Sequence, residues 1–240
     1  MTDAMPVPSW KRTRQPASSR VALSRDVIVD TAIMILDRDG LDGVSMRRVA
    51  EELGTGAASL YAHVANKDEL LELVHDRIMS EIEVPVPDPA HWQDQLREIA
   101  MQSFRVYTSH RDIARVSLAS VPTGPNALRI AEGWLAIMLA GGVPPKVAAF
   151  AVDRFALYIA ADAFEGTLYD KLYQESGQSR EEFMESYFGS VRDFFQNLPA
   201  DRFPLLTRHV NELMEGTSEE RFEFGLDMLI RSLGTYVPTT

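Results

Sequence analysis

Residues 45–67 read SMRRVAEELGTGAASLYAHVANK. Ser45 is placed to cap a short helix from Met46 to Leu53, and Gly54 ends it. Thr55 and Gly56 turn the chain into a second helix, from Ala57 to about Val64. Leu60 and Val64, at i and i+4, can pack inward on Val49 and Leu53. Two short helices around a glycine turn form a helix-turn-helix, which places one helix in the DNA major groove. The slim start of the second helix, Ala57-Ala58-Ser59, allows close approach to a groove. Tyr61, His63 and Lys67 carry donors suited to phosphate oxygens, contacts that fix register without reading sequence. Ser45 can hold a phosphate at a helix N-terminus with its hydroxyl and backbone N–H.

Outward from this motif the chain punctuates itself into helices. Ser24 caps a helix from Arg25 to about Asp39, stopped by Gly40, with an apolar stripe of Val27, Ile28, Ala32, Ile35 and Leu36. Asn66 and Glu69 make a capping pair for a helix from Lys67 to about Ile82. Three prolines in Val84-Pro85-Val86-Pro87-Asp88-Pro89 break the helical pattern, so residues 84–88 read as a linker. Asp88 then caps a helix running to about Thr108. Further helices fit 111–120, 125–140, 145–173, 179–197 and 218–234. No stretch alternates with period two, and the fold class is all-α. The domain reading is a flexible basic arm over 1–23, a DNA-binding unit with its connecting helix over 24–83, the linker, and a helical ligand-binding and dimerisation unit over 89–240.

The 240 residues carry a net charge of −11, which at first opposes a nucleic-acid partner. The distribution softens the objection. Residues 1–67 hold nine Lys and Arg against eight Asp and Glu, and the remaining 15 and 27 lie beyond. Phosphate attraction acts over about a Debye length, ~8–10 Å, so local charge outweighs the total. Zero cysteines exclude disulfides and thiolate metal sites. The start lacks a secretory apolar core and no apolar run nears the ~18 residues of a membrane span, so a cytoplasmic protein without membrane contact is expected. An enzyme has little support: there is no cysteine nucleophile, no G-x-S-x-G, no phosphate-loop glycine pattern and no metal spacing among His63, His75, His91, His110 and His209. No cofactor or metal is expected.

Gly40-Leu41-Asp42-Gly43-Val44-Ser45-Met46-Arg47-Arg48-Val49-Ala50, Leu53-Gly54 and Leu60-Tyr61-Ala62-His63-Val64-Ala65-Asn66-Lys67-Asp68-Glu69-Leu70-Leu71 together resemble the DNA-binding region of the TetR family of bacterial transcriptional regulators. Pro204-Leu205-Leu206 and Phe222-Glu223-Phe224-Gly225-Leu226 look like the C-terminal domain of the tetracycline-repressor branch, in a looser match. The resemblance implies an all-helical homodimer that binds a palindromic double-stranded DNA operator and leaves it when a small-molecule effector binds; this reads as a repressor, and sequence does not separate it from an activator. It also implies that Arg47 reads a base from the second helix. Thr55, Ala57, Ala58 and Ser59 fall on the groove-facing start of the recognition helix, and Tyr61, His63 and Lys67 on phosphate or flanking contacts. Ala62 departs from an often aromatic position, and no Gln, Asn or Arg leads the helix. Arg47 is left as the residue able to bond guanine bidentately. A rival reading is an interaction module that has lost specific DNA binding.

In the distal unit, Phe104, Tyr107, Trp134, Met138, Phe155 and Tyr158 are candidate ligand-lining residues. Aromatic and methionine stripes fit plain core packing as well. Gln102, Arg105, Asp153, Arg154 and Asp162 are polar candidates on the same helices, and a mostly apolar, partly aromatic effector is expected. The broad apolar faces of the helices near 145–173 and 218–234 suit pairing with a second copy as a four-helix bundle.

Overall fold

The computed structural model describes residues 22–119, 121 and 123–238. Most of the basic arm, residues 1–21, lies outside the described residues. Twelve α-helices and one 3-10 turn carry the described fold, which contains no strand. They are α1 Arg25–Asp39, the 3-10 turn Leu41–Gly43, α2 Met46–Glu52, α3 Ala57–Leu60, α4 Lys67–Met79, α5 Trp92–Ser109 and α6 Ile113–Ala119. There follow α7 Pro125–Ala140, α8 Pro145–Ser176, α9 Arg180–Gln196, α10 Pro204–Arg208, α11 Val210–Met214 and α12 Ser218–Gly234.

Caps set the helix starts. The hydroxyl of Ser24 accepts from Val27 N, that of Ser45 from Arg48 N, and the Asn66 side chain from Glu69 N. Ser179 with Glu182 and Thr217 with Glu220 form full capping boxes before α9 and α12. Several expected boundaries move: α8 runs on past residue 173 to Ser176, α6 starts at Ile113, and three further shifts lie between α3 and α5. The recognition helix stops at Leu60, because His63 N and Val64 N both turn back to the Leu60 carbonyl. α4 stops at Met79, although Ile82 stays buried. α5 starts at Trp92, because Asp88 spends its carboxylate on Ala90 N and His91 Nδ1 in a turn of its own. The five-residue helices α10 and α11 escape a reading based on periodicity.

α1 and α4 clasp the head: Ile28, Ile35 and Leu36 bury with Leu70, Val74 and Ile78, and Arg77 reaches from α4 to Asp26 and Asp30 on α1. α5 packs against α7, α8 and α12. The C-terminal end of α4 is tied twice to the start of α7. Asp76 Oδ1 accepts from Asn126 N (2.9 Å) and Ala127 N (3.1 Å), capping α7 from another helix. Arg129 on α7 donates to the Met79 and Ile82 carbonyls at 3.3 and 2.8 Å, closing the C-terminal end of α4. Gly124 makes the first tie possible, since a Cβ there would lie 2.1 Å from Asp76 Oδ1.

Candidate DNA-binding motif and effector cavity

The helix-turn-helix is held from beneath. Leu60, Val64 and Val49 are fully buried, and Leu53 and Ala57 pack against the same core. The tight turn needs Gly54 at φ +62°, a left-handed conformation that costs a side-chain-bearing residue energy. Arg25 on α1 steadies the far end, its Nε donating to the His63 carbonyl at 3.2 Å. Ala58, Ser59, Tyr61, Ala62 and Lys67 are exposed, while Thr55, Ala57, His63 and Ser45 are half-buried. The structure thus gathers the nine sequence candidates on and around α2 and α3. Tyr61 and His63 sit in the turn that follows α3.

Electrostatics on this face are balanced rather than basic. Arg47 projects with 87% of its side chain exposed, and its Nε donates to Glu51 Oε1 at 2.8 Å. Arg48 lies within 4.0 Å of Asp39, Glu51 and Glu52. Arg38 bonds Asp39 and Glu52, which holds both carboxyls below their usual range. Phosphates must therefore compete with carboxylates for these arginines. That competition weakens non-specific attraction and leaves Arg47 oriented along α2.

In the distal unit an apolar cavity of about 130 Å³ lies among α4, α5, α6, α7 and α8. Met79, Ile82, Ile130, Trp134, Val152 and Ile159 form most of its wall. One end is polar. His75 Nε2 lies 3.1 Å from the Tyr107 hydroxyl, which lies 2.9 Å from Ser117 Oγ. Burial pushes the His75 imidazole down to about 4, partly offset by Asp76, and pushes the Tyr107 phenol up.

Of the six aromatic and methionine candidates, Tyr107 and Trp134 line this cavity. The other four take packing positions. Phe155 stacks on Trp134 from behind at 4.7 Å, and Met138 is fully buried. Phe104 stacks on Phe222 at 4.1 Å, and Tyr158 stacks on the same ring at 5.2 Å while donating to the Phe222 carbonyl. The polar candidates are engaged elsewhere: Gln102 accepts from Glu83 N, Arg105 faces Glu219, and Asp153 pairs with Arg154. Asp162 stands apart from the cavity wall, its carboxyl raised by burial. Sequence reasoning missed His75, Ser103 and Ser117. His75 had a signal, as a titratable residue set among Leu71, Val74 and Ile78 on one helical stripe.

A larger cleft of about 580 Å³ separates the head from α5, α6 and α8. Several of its charged groups are already engaged: His110 with Asp37 and Glu81, Arg115 with Asp112 and Asp42, and Arg111 with the Gln174 side chain. Small-molecule sites are mostly apolar with a few convergent polar groups, which describes the smaller cavity and not this cleft. On the outside, Phe150 and Leu157 of α8 and Phe224 and Met228 of α12 present large apolar side chains to solvent. Among the described residues no helix is long and apolar enough to cross a membrane.

Comparison with known proteins agrees with this anatomy. Residues 28–74 match the family of bacterial regulatory proteins, tetR family, and residues 84–236 match the tetracyclin repressor-like C-terminal domain. The HTH-type transcriptional repressor DrrR1 of Streptomyces coeruleorubidus is 29% identical over 95% of this chain and 84% of its own length. The class E tetracycline repressor protein of Escherichia coli is also 29% identical, over 87% of this chain and 89% of its own. ActR of Streptomyces coelicolor in complex with actinorhodin superposes with a TM-score of 0.79 at 39% identity, covering 89% of this chain and 96% of that one. Its ligand-free form gives 0.80 at 36%, covering 90% and 97%. An exposed helix-turn-helix tied through α4 to an apolar cavity, with matches that together span nearly the whole described chain, leads to one assignment: the chain belongs to the TetR family of DNA-binding, ligand-responsive transcriptional regulators.

Proposed function

We propose that this regulator is a repressor, that it binds its operator as a dimer through residues 24–67, and that the 130 Å³ cavity is where an effector enters to release the DNA. The observation that carries the reading is the double role of α4. It starts at Lys67, on the DNA-binding motif, and it contributes His75 and Met79 to the cavity wall. A cavity of about 150 Å³ accommodates a single benzene ring, and drug-sized ligands occupy ~300–1,000 Å³. An effector larger than one ring therefore has to push the walls apart. α4 yields against its ties to α7, and the heads move with it. The release needs differential binding of ~1–3 kcal/mol or more between the two arrangements.

The exposed apolar residues of α8 and α12 support an isologous dimer built on these two helices, which sets two heads on a two-fold operator. The unit boundaries at 24–83, 84–88 and 89–240 follow the same reading, with the 84–88 segment as a spacer. The protein works in the bacterial cytoplasm, beside its DNA, and acts by binding alone. Its relatives are named transcriptional regulators, which supports that view.

Footprinting on DNA flanking the gene, repeated with a panel of small molecules that includes actinorhodin, the ligand seen in ActR, tests the proposal. Protection over an inverted repeat, lost with one compound, is the expected outcome. No protection at low salt sinks it and leaves the rival reading of an interaction module. Within a half-site, Arg47→Ala is expected to cost ~1–3 kcal/mol on the operator and much less on an operator whose contacted guanine is replaced. Equal losses on both sequences would remove Arg47 from base reading.

A further inference from the structure

We infer that the cavity takes its effector as an uncharged aromatic bearing a hydroxyl or keto group, received at the Tyr107–Ser117 end, and refuses the ionised form of the same compound. The inference rests on the reading of this cavity as the effector site and adds the chemistry of what fits it.

The groups around the polar end decide the matter. On the cavity wall the titratable side chains are His75 and Tyr107. α5 adds Ser103, whose hydroxyl donates to the Ile99 carbonyl, and α6 adds Ser117. α8 contributes Val152, Ala156 and Ile159, and α7 contributes Ala127, Ile130, Ala131 and Trp134, none of them charged. The nearest cation on α7, Arg129, is absent from the wall and turns its Nη2 to the Met79 and Ile82 carbonyls. On α4, Asp76 spends its carboxylate on the α7 N-terminus. Behind His75 lies a second cleft, of about 190 Å³, whose lining includes Glu69, Glu72 and Asp76. A ligand oxyanion would thus meet apolar walls, no counter-charge and an acidic background, the arrangement that penalises buried charge most.

Burial keeps the imidazole neutral, at about 4, so no imidazolium offsets an anion near neutral pH. A neutral histidine can donate or accept at Nε2, and the tautomer decides which. The hydrogen-bonded chain can therefore run either way. With His75 donating to Tyr107 and Tyr107 to Ser117, the Ser117 O–H is left to donate to a ligand carbonyl. With the chain reversed, the Ser117 oxygen is left to accept from a ligand hydroxyl. Both orientations suit neutral partners. A phenol, an enol or a quinone carbonyl each finds a match, and a phenolate loses the donor that the reversed chain requires.

4-Nitrophenol is a suitable probe. It is a single ring, it ionises near neutrality, and only its phenolate is yellow. The full-length protein is titrated with it from about pH 5 to about pH 9, with quenching of tryptophan fluorescence and the yellow band as readouts. The expected result is that bound dye loses its colour and that apparent affinity falls about tenfold per pH unit once the free dye ionises. 4-Nitrobenzoate, of similar size and always charged in this range, is expected to leave the fluorescence unchanged. Tyr107→Phe keeps the ring and removes the hydroxyl. It is expected to weaken nitrophenol about three- to tenfold while leaving nitrobenzene binding as it was, a split that a merely structural role of Tyr107 does not produce. Dye that stays yellow when bound, affinity that rises with pH, binding of nitrobenzoate, or no binding of nitrophenol at any pH overturns the inference. If the neutral phenol binds and a saturating amount fails to compete with the compound that releases the operator, the ligand chemistry stands and the assignment of this cavity as the release site fails.

Discussion

Replacing Phe222 by alanine is expected to lower the stability of the distal unit by ~3–5 kcal/mol. The ring is fully buried and sandwiched, with Phe104 stacked on one side at 4.1 Å and Tyr158 on the other at 5.2 Å. Each aromatic pair adds ~0.5–1.5 kcal/mol beyond its buried area. The hole cannot close by itself, because Tyr158 is pinned through its hydroxyl to the backbone carbonyl of residue 222. Close contact also blocks collapse from α12, where a Cβ at Gly225 would already lie 2.2 Å from that hydroxyl. Urea melts at one fixed protein concentration measure the effect, since a dimer gains apparent stability with concentration. A loss below ~1 kcal/mol would mean that the stack is not a support of the core.

Alanine at Leu60 is expected to cost the head ~2–5 kcal/mol and to weaken operator binding by at least ~30-fold. A four-residue helix has no intrinsic stability, because nucleation alone is unfavourable. α3 persists because Leu60 and Val64 insert into the core that Val49, Ile28 and Leu70 complete. With a methyl group in place of the isobutyl group, the recognition turn loses its anchor, and the exposed side chains of Ser59 and Tyr61 lose their fixed register. The cavity is walled mostly by α5, α6, α7 and α8, and its α4 residues, His75 and Met79, lie at the far end of that helix from Leu60, so quenching of tryptophan by 4-nitrophenol is expected to remain as in the unsubstituted protein. Operator binding within threefold of the unsubstituted protein would show that the DNA-facing residues are held by something other than this packing.

These two sites differ in how legible they were. Leu60 could be placed inward from the sequence, because Leu60 and Val64 repeat at i and i+4 above a glycine turn. Phe222 could be placed in a helix, and its role in the stack could not. Bounds set by local chemistry were legible: α7 and α12 start and end where proline, capping boxes and apolar periodicity put them. Bounds set by competition between hydrogen bonds were not. Asp88 has the composition of a cap and bonds its own turn instead, because His91 lies within its reach. The recognition helix ends early for a similar reason, as two amides share the Leu60 carbonyl.

The sequence by itself determined an all-helical chain with a helix-turn-helix near its start, because caps, glycine turns and a 3.6-residue apolar period are local and act within a few residues. It also placed the candidate DNA-binding side chains on and around α2 and α3, since a short motif fixes its own geometry. Only the tertiary structure decided which buried residues surround empty space and which fill it. Phe104, Met138, Phe155 and Tyr158 carry the same apolar pattern as Trp134, and packing from α12 and α8 assigns them to core. The same packing brings His75, Tyr107 and Ser117 together from three helices. A helix's period tells which side chains turn inward. It cannot tell what meets them there, because that depends on how distant helices cross.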